Sequence, residues 1–346
     1  MNPINCGTQK NAINALIHKL HSFDHPLVDV LSSIASSCLD AYTILECLDS
    51  PEVSVISKRI YGSPNDFCVS EGRRYIDIAH DIFSYCHNKE SNSDELKYSA
   101  DEFAYMLKQE SNRRYGVERL DVKVIENMVA NAAVIQNEIH LRKGAQYSDN
   151  DLQYLATHEL MHACKFLNAA KQPVMSALCL VPPSVIEWEE GLAVFSEYMG
   201  GVLLPKRLQK LAMRVLAIDM AEKGADFKEI FDFFRVYETD EDSYCAAQRI
   251  LRGGAPQNRI VYYKDMTYLK GFIKVRSLVK ALSHQHQSLE PMFVGKTNLA
   301  YLDELRQGLS CGLIKEPIWI PDWARNQKHL EQVLKIESAQ WWSQIA

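Results

Sequence analysis

The stretch Ser148-Asp-Asn-Asp-Leu-Gln-Tyr-Leu-Ala-Thr-His158-Glu159-Leu160-Met161-His162-Ala-Cys-Lys-Phe-Leu-Asn168 constrains this chain more than any other. No Gly or Pro interrupts it. Ser148 followed three residues later by Asp151 reads as an N-cap, and Leu152, Leu155 and Phe166 supply an apolar stripe, so one long helix is predicted. On a helix, His158 and His162 stand one turn apart and aim their imidazoles at one point, where a zinc ion would fit. Glu159 lies about 100° further round the helix. That places it beside the metal, able to hold a water rather than the ion. Chance yields the bare pattern in roughly 2 of 100 chains of this composition, so the helical context carries the argument. The competing reading is a buried structural pair of histidines with a surface glutamate.

With 346 residues and 47% hydrophobic content the chain can bury one large core or two modest ones. A net charge of -6 gives no basic field for phosphate neutralisation, which sets nucleic-acid binding aside. The nine cysteines are scattered without a CxxC pair and are odd in number. That usage points to reduced thiols and a cytoplasmic protein. The amino terminus lacks a basic stretch followed by an apolar run, and no segment approaches the roughly 18 uninterrupted apolar residues of a membrane span. Neither export by a standard signal nor membrane spanning is expected, although specialised secretion leaves no mark that can be read. Oligomeric state is not legible.

Residues 1 to about 60 show helical periodicity broken at Pro26 and Pro51, which predicts two or three packed helices. Ile60 to Asn65 reads as a turn, and Tyr75 to Cys86 as a helix. The polar run Lys89–Asp94 marks a surface boundary, with Ser93 capping a helix from Glu95 to about Ser111. Alternation in Leu120–Ile125 and Ala132–Arg142 predicts short strands. Asn131 to Ile135 can be either an edge that binds extended substrate beside the motif helix or an ordinary core hairpin. Past the linker bracketed by Gln172-Pro173 and Pro182-Pro183, Trp188-Glu-Glu-Gly-Leu-Ala193 opens another helix. Further helices are expected at Pro205–Lys223, Phe227–Tyr237 and Tyr244–Arg252, then a Tyr-rich segment from Arg259 to Gly271, and a terminal amphipathic helix to Ala346. The expected division is a helical region 1–95, a catalytic domain 96–325 and a helical tail 326–346.

A catalytic zinc site takes three protein ligands, and a carboxylate on a second helix is a common third. Glu189 and Glu190 are both in place to supply it. In peptidases with a glutamate as third ligand, the residue directly before Gly in an E-G-[LF]-A segment usually serves, which selects Glu190. A solvated acidic helix start would explain one such glutamate, but not its pairing with the histidines.

Taken together, several segments resemble the QEGLA-motif family. It includes bacterial proteins described as flavohaemoglobin-expression modulators and the microtubule-associated tyrosine carboxypeptidases of animals. The resemblance runs from about Ile60 to Trp323. It rests on Tyr61-Gly-Ser-Pro64, the His-Glu helix ending in Leu167-Asn168, Gln172-Pro173, Glu189-Glu-Gly-Leu-Ala193, Arg252-Gly-Gly254, Lys264-Asp265, Tyr268-Leu-Lys-Gly271 and Glu290-Pro-Met-Phe-Val-Gly-Lys296. The family's histidines are usually one residue further apart (HExxxH); here the spacing is HExxH.

The resemblance and the motif imply an α+β, predominantly helical metallopeptidase of the zincin, gluzincin-like kind, with a small sheet beside the HExxH helix. Zinc would be held by His158, His162 and Glu190, with Glu159 as the general base. Tyr268, Tyr263 and Tyr262 are candidate oxyanion donors. A carboxypeptidase also needs a cation to read the terminal carboxylate of its protein or peptide substrate, for which Arg252 leads, with Arg249 and Lys264 behind it. The alternatives are a zinc endopeptidase or aminopeptidase with the same centre, or a non-catalytic regulatory or binding module stabilised by zinc. The spacing supports zinc hydrolysis more firmly than it supports tubulin as the target.

Overall fold

The computed structural model describes residues 4–89, 95–115, 120–128, 130–252, 259–334 and 342. The chain is predominantly helical with small sheets, an α+β protein. In order come α1 (Gly7–Leu20), α2 (Leu27–Glu46), α3 (Glu52–Tyr61), a two-stranded ribbon β1 (Phe67–Cys68) and β2 (Arg73–Arg74), and α4 (Tyr75–His87). Then follow β3 (Tyr98–Ser99), α5 (Ala100–Tyr115), β4 (Asp121–Ile125), β5 (Ala132–Ile135), β6 (Glu138–Arg142), β7 (Gln146–Tyr147) and the motif helix α6 (Asp149–Ala170). The remainder is helical: α7 (Pro183–Met199), α8 (Pro205–Glu222), α9 (Phe227–Arg235), α10 (Asp240–Ile250), α11 (Met266–His284), α12 (Leu302–Ser310), α13 (Asp322–Arg325) and α14 (Gln327–Leu334).

Several boundaries differ from the sequence expectations. Helix α7 starts at Pro183 rather than Trp188, because a proline in the first turn has no amide that needs a partner. Helix α10 starts at Asp240, where the Thr239 side chain accepts the Asp242 amide at 3.2 Å. Residues 95–97 are extended and α5 begins at Ala100, because Lys97 pairs with the β7 backbone. The Tyr-rich segment runs into α11. Ser93 and Gly253-Gly254 lie outside the described residues, as does most of the terminal helix beyond Leu334.

The chain divides into two compact units woven from separate segments. The first comprises Met1–Asn88, Leu180–Gly191 and Arg207–Lys274. Its buried apolar residues include Val30 and Ile34 of α2, Ile78 and Ile82 of α4, Leu211 and Val215 of α8, and Leu269 and Phe272 of α11. Among the described residues α2 is the one helix long and apolar enough to cross a membrane. It packs on α1 and α3 and buries Leu27, Val30, Ile34 and Ile44.

The second unit comprises Lys89–Cys179, Leu192–Lys206 and Val275–Ala346. Here the three-stranded sheet has the order β4-β6-β5, with β6 parallel to β4 and antiparallel to β5. Alternation along β6 turns Ile139 and Leu141 inward, while Glu138, His140 and Arg142 face away. The inward pair packs with Phe103, Leu107, Leu155, Leu160 and Leu167. Asn131 to Ile135, open in sequence between an edge and a core hairpin, supplies β5, which among the described residues pairs with β6 only and packs against α6.

Helix α6 opens on the capping box expected of it. Ser148 Oγ accepts the Asp151 amide at 3.1 Å, and Asp151 Oδ2 accepts the Ser148 amide at 2.8 Å. The apolar stripe understates its environment, because every residue from Leu155 to Lys165 is buried. A helix enclosed on all sides must satisfy its polar side chains internally. Asn168 does so fully. Its Nδ2 donates to Phe293 O and Trp319 O, both at 2.8 Å, and its Oδ1 accepts the Ile318 and Trp319 amides, both at 3.0 Å. One turn on, Gln172 Nε2 donates to Val294 O and Lys315 O while its Oε1 accepts the Lys315 amide. These two amides staple residues 293–294 and 315–319 to the end of α6. Asn168→Ala leaves four backbone groups, one buried and three partly buried, without this partner, and we expect a loss on the order of 3 kcal/mol in urea unfolding of the whole chain.

Candidate active site

His158 and His162 sit at the enclosed centre of α6, 5% and 8% exposed, with ring centroids 5.0 Å apart and planes at 79°. Glu190 on α7 joins them, so that one ligand atom from each lies within 4.8 Å of the other two. Donors sharing one ion at about 2.0–2.2 Å stand at most roughly 4 Å apart, a spacing close to that of this group. It is the one such cluster among the described residues, and it takes Glu190, not Glu189. Two imidazoles and a carboxylate are a donor set suited to zinc. Glu159 follows His158 directly and is 8% exposed.

A residue that the motif did not reveal completes the arrangement. Glu197, fully buried on α7, holds His158 Nδ1 through Oε1 at 2.7 Å. With Nδ1 engaged, the nitrogen of His158 left to face the cluster is Nε2. The only sequence signal for Glu197 is its spacing: seven residues past Glu190, two helical turns on, it falls on the same face of α7.

The glycines of two motifs explain each other. A Cβ on Gly191 would lie 2.3 Å from the carbonyl carbon of Gly271, and one on Gly271 would lie 2.1 Å from Glu187 O. Helices α7 and α11 therefore cross in backbone contact just after Glu190. Lys270 ties the same crossing together, its Nζ bonding Glu187 Oε2 at 2.8 Å and Tyr61 O at 2.9 Å. Lys274 also pairs with Glu187. Gly62, at φ +84°, leaves the room that the Lys270 ammonium occupies.

The structure spends most of the other candidates on one another. Asp265, 1% exposed, takes Arg249 bidentately at 2.8 and 2.7 Å. Arg214 stands at 3.7 Å and Arg252 at 4.0 Å from the same carboxylate. Burial opposes ionisation of Asp265, but Arg249 and Arg214 outweigh it and hold the carboxyl far below its usual range. Arg249 is held well above its usual value by Asp265 and Tyr268 against the pull of burial. The Arg214 guanidinium lies over the Tyr268 ring at 4.5 Å, and Arg249 Nη2 donates to the Tyr268 hydroxyl at 3.3 Å. Arg252 covers the Tyr262 ring at 5.1 Å and is the most exposed of the three arginines. The Tyr263 hydroxyl donates to Glu222 at 2.7 Å, so that tyrosine serves Glu222, which Lys58 also meets at 2.7 Å. Lys264 is partly buried, and its carbonyl caps Thr267.

Two histidines one helical turn apart and a glutamate from a second helix, within a predominantly helical α+β fold, form a group that could hold a metal ion. Residues 3–340 match the model of the microtubule-associated tyrosine carboxypeptidases (MATCAP), and the chain belongs to that family of peptidases. No curated protein matches it. Membership spans nearly the whole chain, with the shorter histidine spacing included.

Gly271→Ala must separate two backbones, since no rotamer relieves a clash with a carbonyl. We expect it to lower stability by about 3 kcal/mol, read as a fall in the thermal midpoint. Asp265→Asn leaves three arginines facing a neutral amide, with an expected cost of about 3–5 kcal/mol at pH 7. Because the folded pKa is depressed, the wild-type advantage is complete above the unfolded value near ~4. It disappears only as pH falls through the much lower folded value. Urea midpoints of the two proteins should thus stay apart at neutral pH and converge only in strong acid.

Proposed function

We propose that this chain is a zinc-dependent carboxypeptidase resembling the tyrosine carboxypeptidases, acting on the carboxyl-terminal end of a peptide or protein. The observation that carries the reading is the grouping of His158, His162 and Glu190 within 4.8 Å beside Glu159. These three residues would hold the ion. When bound, zinc supplies Lewis acidity and lowers the pKa of a coordinated water towards ~7. Three protein donors rather than four leave a position open, which favours catalysis over a purely structural metal.

The chain's own groups do the rest. Glu159 accepts the proton of the attacking water and returns it to the departing amine. Its enclosed position keeps bulk water from competing for that proton. The Tyr268 hydroxyl already receives an N–H from Arg249, so its own proton can be donated to a developing oxyanion. Three arginines around one aspartate leave a cationic surplus, and Arg252, whose fork is the least enclosed, is the group we assign to the substrate's terminal carboxylate. An extended substrate would pair with the outer edge of β5, where Ile135 is 56% exposed. The same features support reading the fold as a zincin of the gluzincin kind.

Purified protein, with its zinc content measured, is incubated with peptide libraries carrying free, amidated or doubly blocked termini. Cleavage that vanishes on carboxyl amidation and on chelation is expected. Cleavage of doubly blocked peptides identifies an endopeptidase instead, and a requirement for a free amino terminus an aminopeptidase. Glu159→Gln should reduce turnover at least about 100-fold with zinc content unchanged. Full activity in that variant overturns the mechanism.

A further inference from the structure

We infer that Glu197 is the positioning residue of the metal site: through Nδ1 of His158 it sets that imidazole's tautomer and aim. The inference rests on the zinc reading above and adds a group to it. A neutral imidazole carries its proton on either nitrogen, and only the unprotonated nitrogen can donate to a cation. In solution the two tautomers compete, and the ring is free to rotate. Here the choice is made before any ion arrives. The Glu197 carboxylate, 0% exposed, lies 2.7 Å from Nδ1 of a His158 side chain that is 6% exposed. An ionised carboxylate only accepts, so the proton must sit on Nδ1 and the lone pair on Nε2.

The arrangement is more than a local hydrogen bond because of what else α7 carries. Glu190 and Glu197 lie seven residues apart on the same helix face, so one helix supplies a donor to the cluster and, two turns on, the acceptor that aims a second donor. Helix α7 is continuous from Pro183 to Met199. Its register therefore ties the placement of Glu190 to that of the His158 ring. The negative charge behind the imidazole also raises its basicity as a ligand. In this scheme Glu197 acts on the metal site through His158 rather than by touching the substrate.

The experiment compares wild type with Glu197→Gln and Glu197→Leu by two readouts that need no turnover. Nitrogen-15 shifts of the His158 ring in metal-free protein report the tautomer, and competition with a chromophoric chelator reports zinc affinity. The wild type is expected to show the Nδ1–H form. Glu197→Leu should show a mixed tautomer and about 10–100-fold weaker zinc binding. Glu197→Gln keeps an acceptor oxygen but no charge; it should retain the Nδ1–H tautomer and lose affinity by a smaller factor. If Glu197→Leu fails to fold, the glutamine variant decides alone, and wild-type affinity in it overturns the inference. Unchanged tautomer and affinity in the leucine variant overturn it as well. Wild-type protein that shows the Nδ1–H tautomer but binds no zinc overturns the zinc reading, and with it a positioning role for Glu197. Zinc bound equally by all three proteins leaves the zinc reading standing and removes only Glu197.

Discussion

Burial of α6 on every side is the constraint from which the rest follows. A helix interior carrying two histidines, a glutamate, a lysine and an asparagine is costly unless each polar group finds a partner. The partners found here determine the architecture around it. Asn168 and Gln172 draw in the 293–294 and 315–319 segments, and Glu197 meets His158. The capping box at Ser148 fixes the register from the other end, so the positions of the two histidines along the helix are set twice over. This is an expensive way to build a core, and in it the Nδ1 of the His158 imidazole meets a buried carboxylate.

Helix α7 has a comparable double role. Its four glutamates look redundant in sequence, yet three of them have different tasks. Glu187 neutralises Lys270 and Lys274, Glu190 joins the histidine cluster, and Glu197 stands behind His158. Between the first and the last, Gly191 permits backbone contact with Gly271. Family motifs that seem unrelated along the chain are thus two sides of one contact. Tyr61-Gly62 and Lys270 belong to the same locus, through the ammonium that the Tyr61 carbonyl accepts.

The arginine cluster shows how little a residue's type and position in the sequence say about how it is used. Arg249, Arg252 and Lys264 are all cations near a family motif, and sequence ranks them only by position. In the structure Arg249 is engaged by a buried aspartate and Arg252 is the more open. Asp265, given no role from the sequence beyond its place in a family motif, is the hub, held ionised by Arg249 and Arg214 against the opposition of burial. Tyr263 likewise meets Glu222, a residue that no local pattern connects to it.

The sequence by itself determined the motif helix, its cap, the pair of histidines on one face and the short strands before it. Each depends on interactions between residues a few positions apart, through periodicity, capping and alternation, and such interactions are written locally. It also indicated Glu190, by its place before Gly191. Only the tertiary structure decided that α6 is buried all round, that Glu197 and not solvent meets His158, that Gly191 faces Gly271, and that the two compact units are interleaved along the chain. Those features join residues tens to more than a hundred positions apart. Whether such residues meet is settled by how helices pack, and side-chain periodicity within one helix carries no record of which helix lies against it.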